Sequence, residues 1–151
     1  MTPLKPGDKA PVFSEKDQNG NTISLSDFVG HKLVLYFYPK DSTPGCTAQA
    51  CNLRDNYQTL LQKGYKVVGV SADSEKSHKK FIEKYNLPFP LIADTEKQVS
   101  KAYGVWGAKK FMGRIFDGIT RTTFVIDQEG IIAEVIQKVD TTNHTTQLLG
   151  D

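Results

Sequence analysis

No apolar run in this 151-residue chain approaches the length of a membrane span. The first residues, Met1-Thr2-Pro3-Leu4-Lys5, lack the apolar core of a secretory signal. Neither sign of charge dominates: 19 Lys and Arg stand against 17 Asp and Glu, a formal net charge of +2. The lysines are dispersed, with Lys79-Lys80 and Lys109-Lys110 the only adjacent pairs. Such a distribution reads as solvated surface, so neither nucleic acid nor membrane is an expected partner. No repeat, low-complexity tract or linker divides the chain, and a single domain over residues 1–151 is expected. Histidine is scarce. His31 falls in a turn, His78 on a polar helix face and His144 near the tail, none spaced for a metal site with the cysteines. No metal or other cofactor is expected.

Cysteine is scarcer still, at two, and both lie in one stretch. Tyr38-Pro39-Lys40-Asp41-Ser42-Thr43-Pro44-Gly45-Cys46 is followed five residues later by Cys51. With no export signal, a cytoplasmic location is expected, where thiols stay reduced and a cysteine pair points to redox chemistry or metal rather than a structural staple. The stretch sits where an apolar run, Leu33 to Tyr38, gives way to the helix-start signal Thr43-Pro44. A thiol there faces the unpaired N–H groups and positive end of a helix, which favour thiolate over thiol.

Apolar periodicity orders the rest. Val12-Phe13 and Ile23-Ser24-Leu25 flank Asn19-Gly20 as an N-terminal hairpin. Lys32–Pro39 and Tyr65–Ala72 read as buried strands, the second of parallel type, with a helix from Thr43 to about Lys63 between them. A second helix follows Asp73-Ser74-Glu75, with Phe81, Ile82 and Tyr85 as its apolar face. A short strand, Leu91-Ile92-Ala93, precedes a short helix over Lys97–Tyr103. The glycine-bearing segment Tyr103–Phe116 is expected to be a mobile loop. Strands over Thr122–Asp127 and Ile131–Lys138 join through Gln128-Glu129-Gly130, and Thr141–Leu149 is expected to close the fold as a helix. The plan is α/β: a thioredoxin-like fold with a mixed central sheet, an N-terminal β-hairpin and an inserted strand–helix unit.

If the strand starting at Arg121 pairs with Lys32–Pro39, Arg121 approaches the start of the helix bearing Cys46 and supplies a cation. The Thr43 hydroxyl, three residues before Cys46, both donates and accepts and suits a small polar substrate. Pro39 and Pro44 stiffen the loop. Five positions along an ideal helix separate Cα atoms by roughly 8–9 Å, whereas a disulfide needs less than about 7 Å. Cys46 and Cys51 therefore bridge only if the first helical turns unwind.

Pro39-x-x-x-Thr43-x-x-Cys46 resembles the peroxiredoxin active-site motif. Thr43-Pro44-Gly45-Cys46-Thr47-x-x-Ala50-Cys51 is similar to the bacterioferritin comigratory protein, or peroxiredoxin Q, branch of that family. The likeness extends to Ala10-Pro11-x-Phe13, Tyr103-Gly104-Val105-Trp106-Gly107 and Arg121-x-Thr123-Phe124-x-Ile126-Asp127, and so covers nearly the whole chain. The resemblance implies a thiol peroxidase. Cys46 would attack peroxide as the peroxidatic cysteine, and Thr43, Arg121 and nearby backbone N–H groups would polarise the O–O bond. Pro39 would shield the site. Cys51 would resolve the sulfenic acid as an intramolecular disulfide, and a thioredoxin-type dithiol would restore both thiols. Relatives of this branch are often monomers, and a monomer without a large exposed apolar face is expected. Two positions depart from the branch. Gln49 stands where Glu is usual, weakening any charge pairing with an active-site arginine, and Val12 replaces an acidic residue.

Plainer roles compete. Cys51 can be a helix core residue, Arg121 a surface ion-pair partner, Thr43 a helix cap and Pro39 a strand stop. A disulfide oxidoreductase is disfavoured because the pair is not Cys-x-x-Cys. A redox sensor or chaperone-like protein using the same thiol switch would react once, whereas a peroxidase turns over.

Overall fold

The computed structural model describes residues 2–150. In chain order the elements begin with β1 (Ser14–Lys16), β2 (Thr22–Ser24), a 3-10 turn (Leu25–Phe28) and β3 (Lys32–Phe37). Next come α1 (Pro44–Asp55), α2 (Tyr57–Gln62), β4 (Tyr65–Ser71), α3 (Glu75–Tyr85), β5 (Leu91–Ala93) and α4 (Gln98–Ala102). The chain ends with β6 (Trp106–Phe111), β7 (Arg114–Ile119), β8 (Thr122–Ile126), β9 (Ile132–Ile136) and α5 (His144–Leu149).

Successive strand residues point to opposite faces, so a strand covered on both sides must be apolar at nearly every position. β3 meets that condition and divides the molecule. Leu33, Leu35 and Phe37 enter one core with Phe13, Val68, Val70, Tyr103 and Phe124. Val34, Tyr36 and Tyr38 enter the other with Cys46, Ala50, Leu53, Phe81 and Leu148. The five-stranded sheet runs β5-β4-β3-β8-β9. β3 pairs parallel with β4 and antiparallel with β8, the mixed arrangement expected from the element order. Gly69 on β4 makes the close packing possible: a Cβ there would stand 2.6 Å from Leu91 Cδ2 and 2.8 Å from Tyr36 Cζ.

The N-terminal hairpin forms at Asn19-Gly20, with Ser14 opposite Ser24 and Gly20 at φ 78°. α3 starts as expected, Ser74 Oγ accepting from Ser77 N at 3.1 Å. Three expectations need correction. The helix expected over Thr43–Lys63 is interrupted at Asn56, which ends α1 and starts α2. Its side-chain amide donates to Asn52 O at 2.8 Å, a local bond that competes with the helical ladder. The segment expected as a mobile loop is the β6–β7 hairpin, Trp106 opposite Ile119 and Phe111 opposite Arg114. Met112 and Gly113 both adopt positive φ, 51° and 78°, as a two-residue hairpin turn of matching twist requires. Gly107 faces Gly118 across the ladder, so the glycines that suggested a loop lie largely within paired strands. The hairpin tip also overturns the expectation of no exposed apolar face: Phe111, Met112 and Ile115 are 66%, 87% and 76% exposed.

Candidate active site

The polypeptide leaves the sheet at the carboxyl end of β3, turns through Pro39–Thr43 and enters α1 with Pro44 in its first turn. Proline suits that place because it has no N–H to leave unpaired. Thr43 is the N-cap residue in an extended conformation, and the first helical bond of the ladder runs from Thr47 N to Thr43 O at 2.8 Å. N–H groups of the first turn, those of Gly45 and Cys46 among them, lie at the positive end of the helix without intrahelical partners. Cys46 is buried there, 1% exposed, and both cysteines are free thiols.

The antiparallel register of β3 with β8 sets Phe37 opposite Thr122, which brings Arg121 beside the start of α1. Its guanidinium makes two contacts. Nη2 donates to Cys46 Sγ at 3.3 Å, and Nη1 donates to Gln49 Oε1 at 2.7 Å. Cys46 and Gln49 are three apart on α1 and share a helix face, so one planar fork spans both. Gly45 leaves the room for it: a Cβ there would lie 3.2 Å from Arg121 Nη2. The surface ion-pair role for Arg121 finds no support, since the partners of its guanidinium are a thiol and an amide. Gln49 is fully buried, and its Nε2 has no partner among the described residues. The arginine charge therefore meets sulfur on one side and a neutral amide on the other.

Thr43 caps the helix by backbone position only. Its hydroxyl donates backwards to Lys40 O at 2.8 Å rather than forwards into α1. With its hydrogen spent, the oxygen presents lone pairs and can accept from a substrate O–H. Pro39 is half-buried at the exit from β3. Cys51 is half-buried on the same unbroken α1, so about 8–9 Å of helix separates its Cα from that of Cys46. Next to Cys51, Asn52 ties α1 to the C-terminal segment. Its Oδ1 accepts from Thr145 N at 2.8 Å and its Nδ2 donates to Thr142 O at 2.9 Å.

Four groups escaped sequence reasoning. Lys109, on β6, donates to Ile119 O at 2.8 Å. Burial pushes its ammonium below the usual lysine range and the Arg121 charge adds to this, while Cys46 opposes it. The phenol of Tyr36 is fully buried, its oxygen without a partner among the described residues; burial first, then Cys46 and Asp41, push it well above the usual tyrosine range. His78, expected on a polar helix face, is instead fully buried against Asp41, behind the loop Pro39–Thr43. Phe81, Ile82 and Tyr85 stand three, four and seven positions after His78, so helical spacing sets His78 on the same buried face, the signal that its polar character masked. His144 is buried too, with Nε2 2.9 Å from Thr123 Oγ1 and Nδ1 2.8 Å from Gln147 Oε1.

A buried sulfur at a helix N-terminus, held against a guanidinium, is an arrangement suited to thiol-redox chemistry. Residues 6–135 match the model of the AhpC/TSA family, and the chain belongs to that family. It is 49% identical over 144 residues to peroxiredoxin Bcp of Escherichia coli, covering 95% of this chain and 92% of that one. Peroxiredoxin Bcp of Bacillus subtilis is 45% identical over 143 residues, covering 95% and 91%. Among solved structures, a cysteine-to-serine mutant of peroxiredoxin Q from Xylella fastidiosa superposes with a TM-score of 0.91 at 32% identity, covering 99% and 96%. The bacterioferritin comigratory protein of Xanthomonas campestris, studied for alkyl peroxide reduction, gives 0.87 at 33%, covering 99% and 92%. The fold is thus the thioredoxin-like fold of the peroxiredoxins. The enzyme class is thiol peroxidase, on the Bcp and peroxiredoxin Q branch.

Proposed function

We propose that Cys46 is the peroxidatic cysteine of a single-domain enzyme, residues 1–151, that reduces hydrogen peroxide and organic hydroperoxides in the cytoplasm as a monomer. The observation that carries this reading is the Arg121 fork, 3.3 Å from Cys46 Sγ. The thiolate attacks the distal peroxide oxygen, an S–O bond forms as the O–O bond breaks, and water or alcohol leaves once the departing oxygen takes a proton. Cys46 is left as sulfenic acid. Thr43 Oγ accepts from the peroxide O–H, while Arg121 and the first-turn N–H groups stabilise charge on the departing oxygen. Pro39 walls the approach to the sulfur.

Cys51 then resolves the intermediate: its sulfur bonds to Cys46 Sγ and the hydroxyl leaves as water. The helical separation supports this assignment only through a local opening of α1, and so a cycle with two conformations. A thioredoxin-type dithiol exchanges with the disulfide and restores both thiols. The first test is a free-thiol count after brief mixing of reduced protein with one equivalent of hydrogen peroxide. Rapid loss of both thiols in a monomeric product is expected, with sulfenic acid trapped instead in Cys51→Ser. Survival of both thiols at the rate of free cysteine would refute the assignment of Cys46. An unchanged cycle in Cys51→Ser would remove Cys51 from it.

A further inference from the structure

Behind the peroxide-facing side of the loop Pro39–Thr43 lies a polar cluster buried at the junction of β3, β4, β5 and α3. His78 is 0% exposed and the Asp41 side chain 3% exposed. His78 Nδ1 is 2.7 Å from Asp41 Oδ2, and Nε2 is 2.8 Å from the carbonyl oxygen of Ile92. A carbonyl oxygen only accepts, so Nε2 bears a hydrogen. The carboxylate of Asp41 already receives Tyr38 Oη–H on Oδ1 at 2.6 Å and Ser77 Oγ–H on Oδ2 at 2.8 Å. An oxygen surrounded by donors is an ionised acceptor, which leaves Nδ1 as the third donor.

From this hydrogen-bond count we infer that His78 is a buried imidazolium paired with the Asp41 carboxylate, and that the pair is a positioning device for the peroxidase reaction. Resting on the Cys46 assignment above, the inference extends it to residues that touch neither sulfur nor substrate. The fold gives the pair something to hold. Ser42, between Asp41 and Thr43, adopts φ 63°, the left-handed region that a residue with a Cβ occupies only at a steric cost. Such a turn persists only where its neighbours over-determine it. Asp41 supplies that constraint from both ends. Its side chain is fastened to Tyr38, Ser77 and His78, and its N–H donates to Asp73 Oδ2 at 2.8 Å. Asp73 in turn accepts from Ser71 Oγ at 2.6 Å. The next side chain that the turn fixes is Thr43, whose hydroxyl closes on Lys40 O. Asp41, Asp73 and His78 also stand within 4.8 Å of one another, close enough for a metal. Both oxygens of Asp41 and Oδ2 of Asp73 are occupied by donors and both ring nitrogens of His78 donate, so the group fits a hydrogen-bond network better than a cation.

Two measurements on the full chain test the inference. In wild-type protein with 15N-labelled histidine, both ring nitrogens of His78 are expected to carry hydrogen at neutral pH; an unprotonated Nδ1 overturns the ion pair. In a Cys51→Ser background, His78→Leu is expected to slow single-turnover peroxide reduction about tenfold or more, because the oriented Thr43 is lost. Alkylation of Cys46 by iodoacetamide, which uses no Thr43 contact, should stay within about twofold, and His78→Asn, whose amide can donate to Asp41, should recover part of the rate. A peroxide rate in His78→Leu equal to that of the active parent overturns the positioning role, as does a parallel fall in peroxide and iodoacetamide rates. A parent that fails to consume peroxide at all refutes the Cys46 assignment instead. Should His78→Leu not fold, Asp41→Asn takes its place under the same two readouts.

Discussion

Replacing Arg121 by alanine is the most searching perturbation of the site. The guanidinium nitrogen lies 3.3 Å from Cys46 Sγ. At an effective dielectric constant near 20, unit charges at that separation attract by ~5 kcal/mol, an upper bound for a delocalised, half-buried cation. Removing one preorganised donor from a developing anion typically costs about 2.7–4 kcal/mol. The lower figure corresponds to about a hundredfold in rate, and that is the loss expected for Arg121→Ala in single-turnover reduction of hydrogen peroxide. Arg121→Lys keeps the charge but has no planar fork to reach Gln49 and Cys46 together, so an intermediate loss of about tenfold is expected. The same replacement leaves buried Gln49 Oε1 without its donor, at a cost of about 1 kcal/mol in stability. The assay is rapid-mixing peroxide consumption in a Cys51→Ser background, with folding checked by circular dichroism. A folded Arg121→Ala protein within threefold of the parent would refute the electrostatic reasoning.

Tyr36→Phe removes a buried hydroxyl that has no partner among the described residues. A gain of about 1 kcal/mol in urea unfolding is expected, and a loss of stability would show that the hydroxyl is satisfied. His144 gives the fold a pH dependence. Burial chiefly pushes it below the usual 6.5, against the opposing hydrogen bond to Gln147. As pH falls below about 6.5 the unfolded chain takes up a proton that the folded chain resists, so stability declines with acidification through this group. Urea midpoints at pH 7.5 and 5.5 should differ less in His144→Gln than in wild type; equal differences would exclude His144 as the source.

The strands β3, β4 and β8 were legible because a doubly covered strand must be apolar at successive positions. Pairing of the Arg121 strand with Lys32–Pro39, if assumed from their order, sets Arg121 beside the helix of Cys46, and the β3–β8 register meets the condition. The β6–β7 hairpin was not legible. Its turn, Met112-Gly113, carries a methionine in a left-handed conformation, and its paired glycines imitate a loop. His78 escaped for a different reason. The spacing of Phe81, Ile82 and Tyr85 sets it on the buried face, but its sequence neighbours Lys79 and Lys80 suggest a polar one, and its compensating partner, Asp41, lies on a loop 37 positions away. Gln49 was visible as a departure from the family pattern, but the contact that gives it meaning joins it to a residue 72 positions distant. Periodicity reports a residue's own face; it carries no word of what stands opposite.

Asn52 has a further consequence. It abuts Cys51 in sequence, yet its side chain grips a segment 90 to 93 positions later. In the proposed cycle, any opening of α1 at Cys51 strains or frees that grip, so the ease with which the two sulfurs meet would be set partly by how firmly the carboxyl-terminal helix is seated. Shortening or loading that helix would alter the pace of disulfide formation without touching either cysteine. A reporter attached near α5 would register the oxidation state of a site on another helix. The last turn of the chain is both a tuning element and an indicator for its first reactive one.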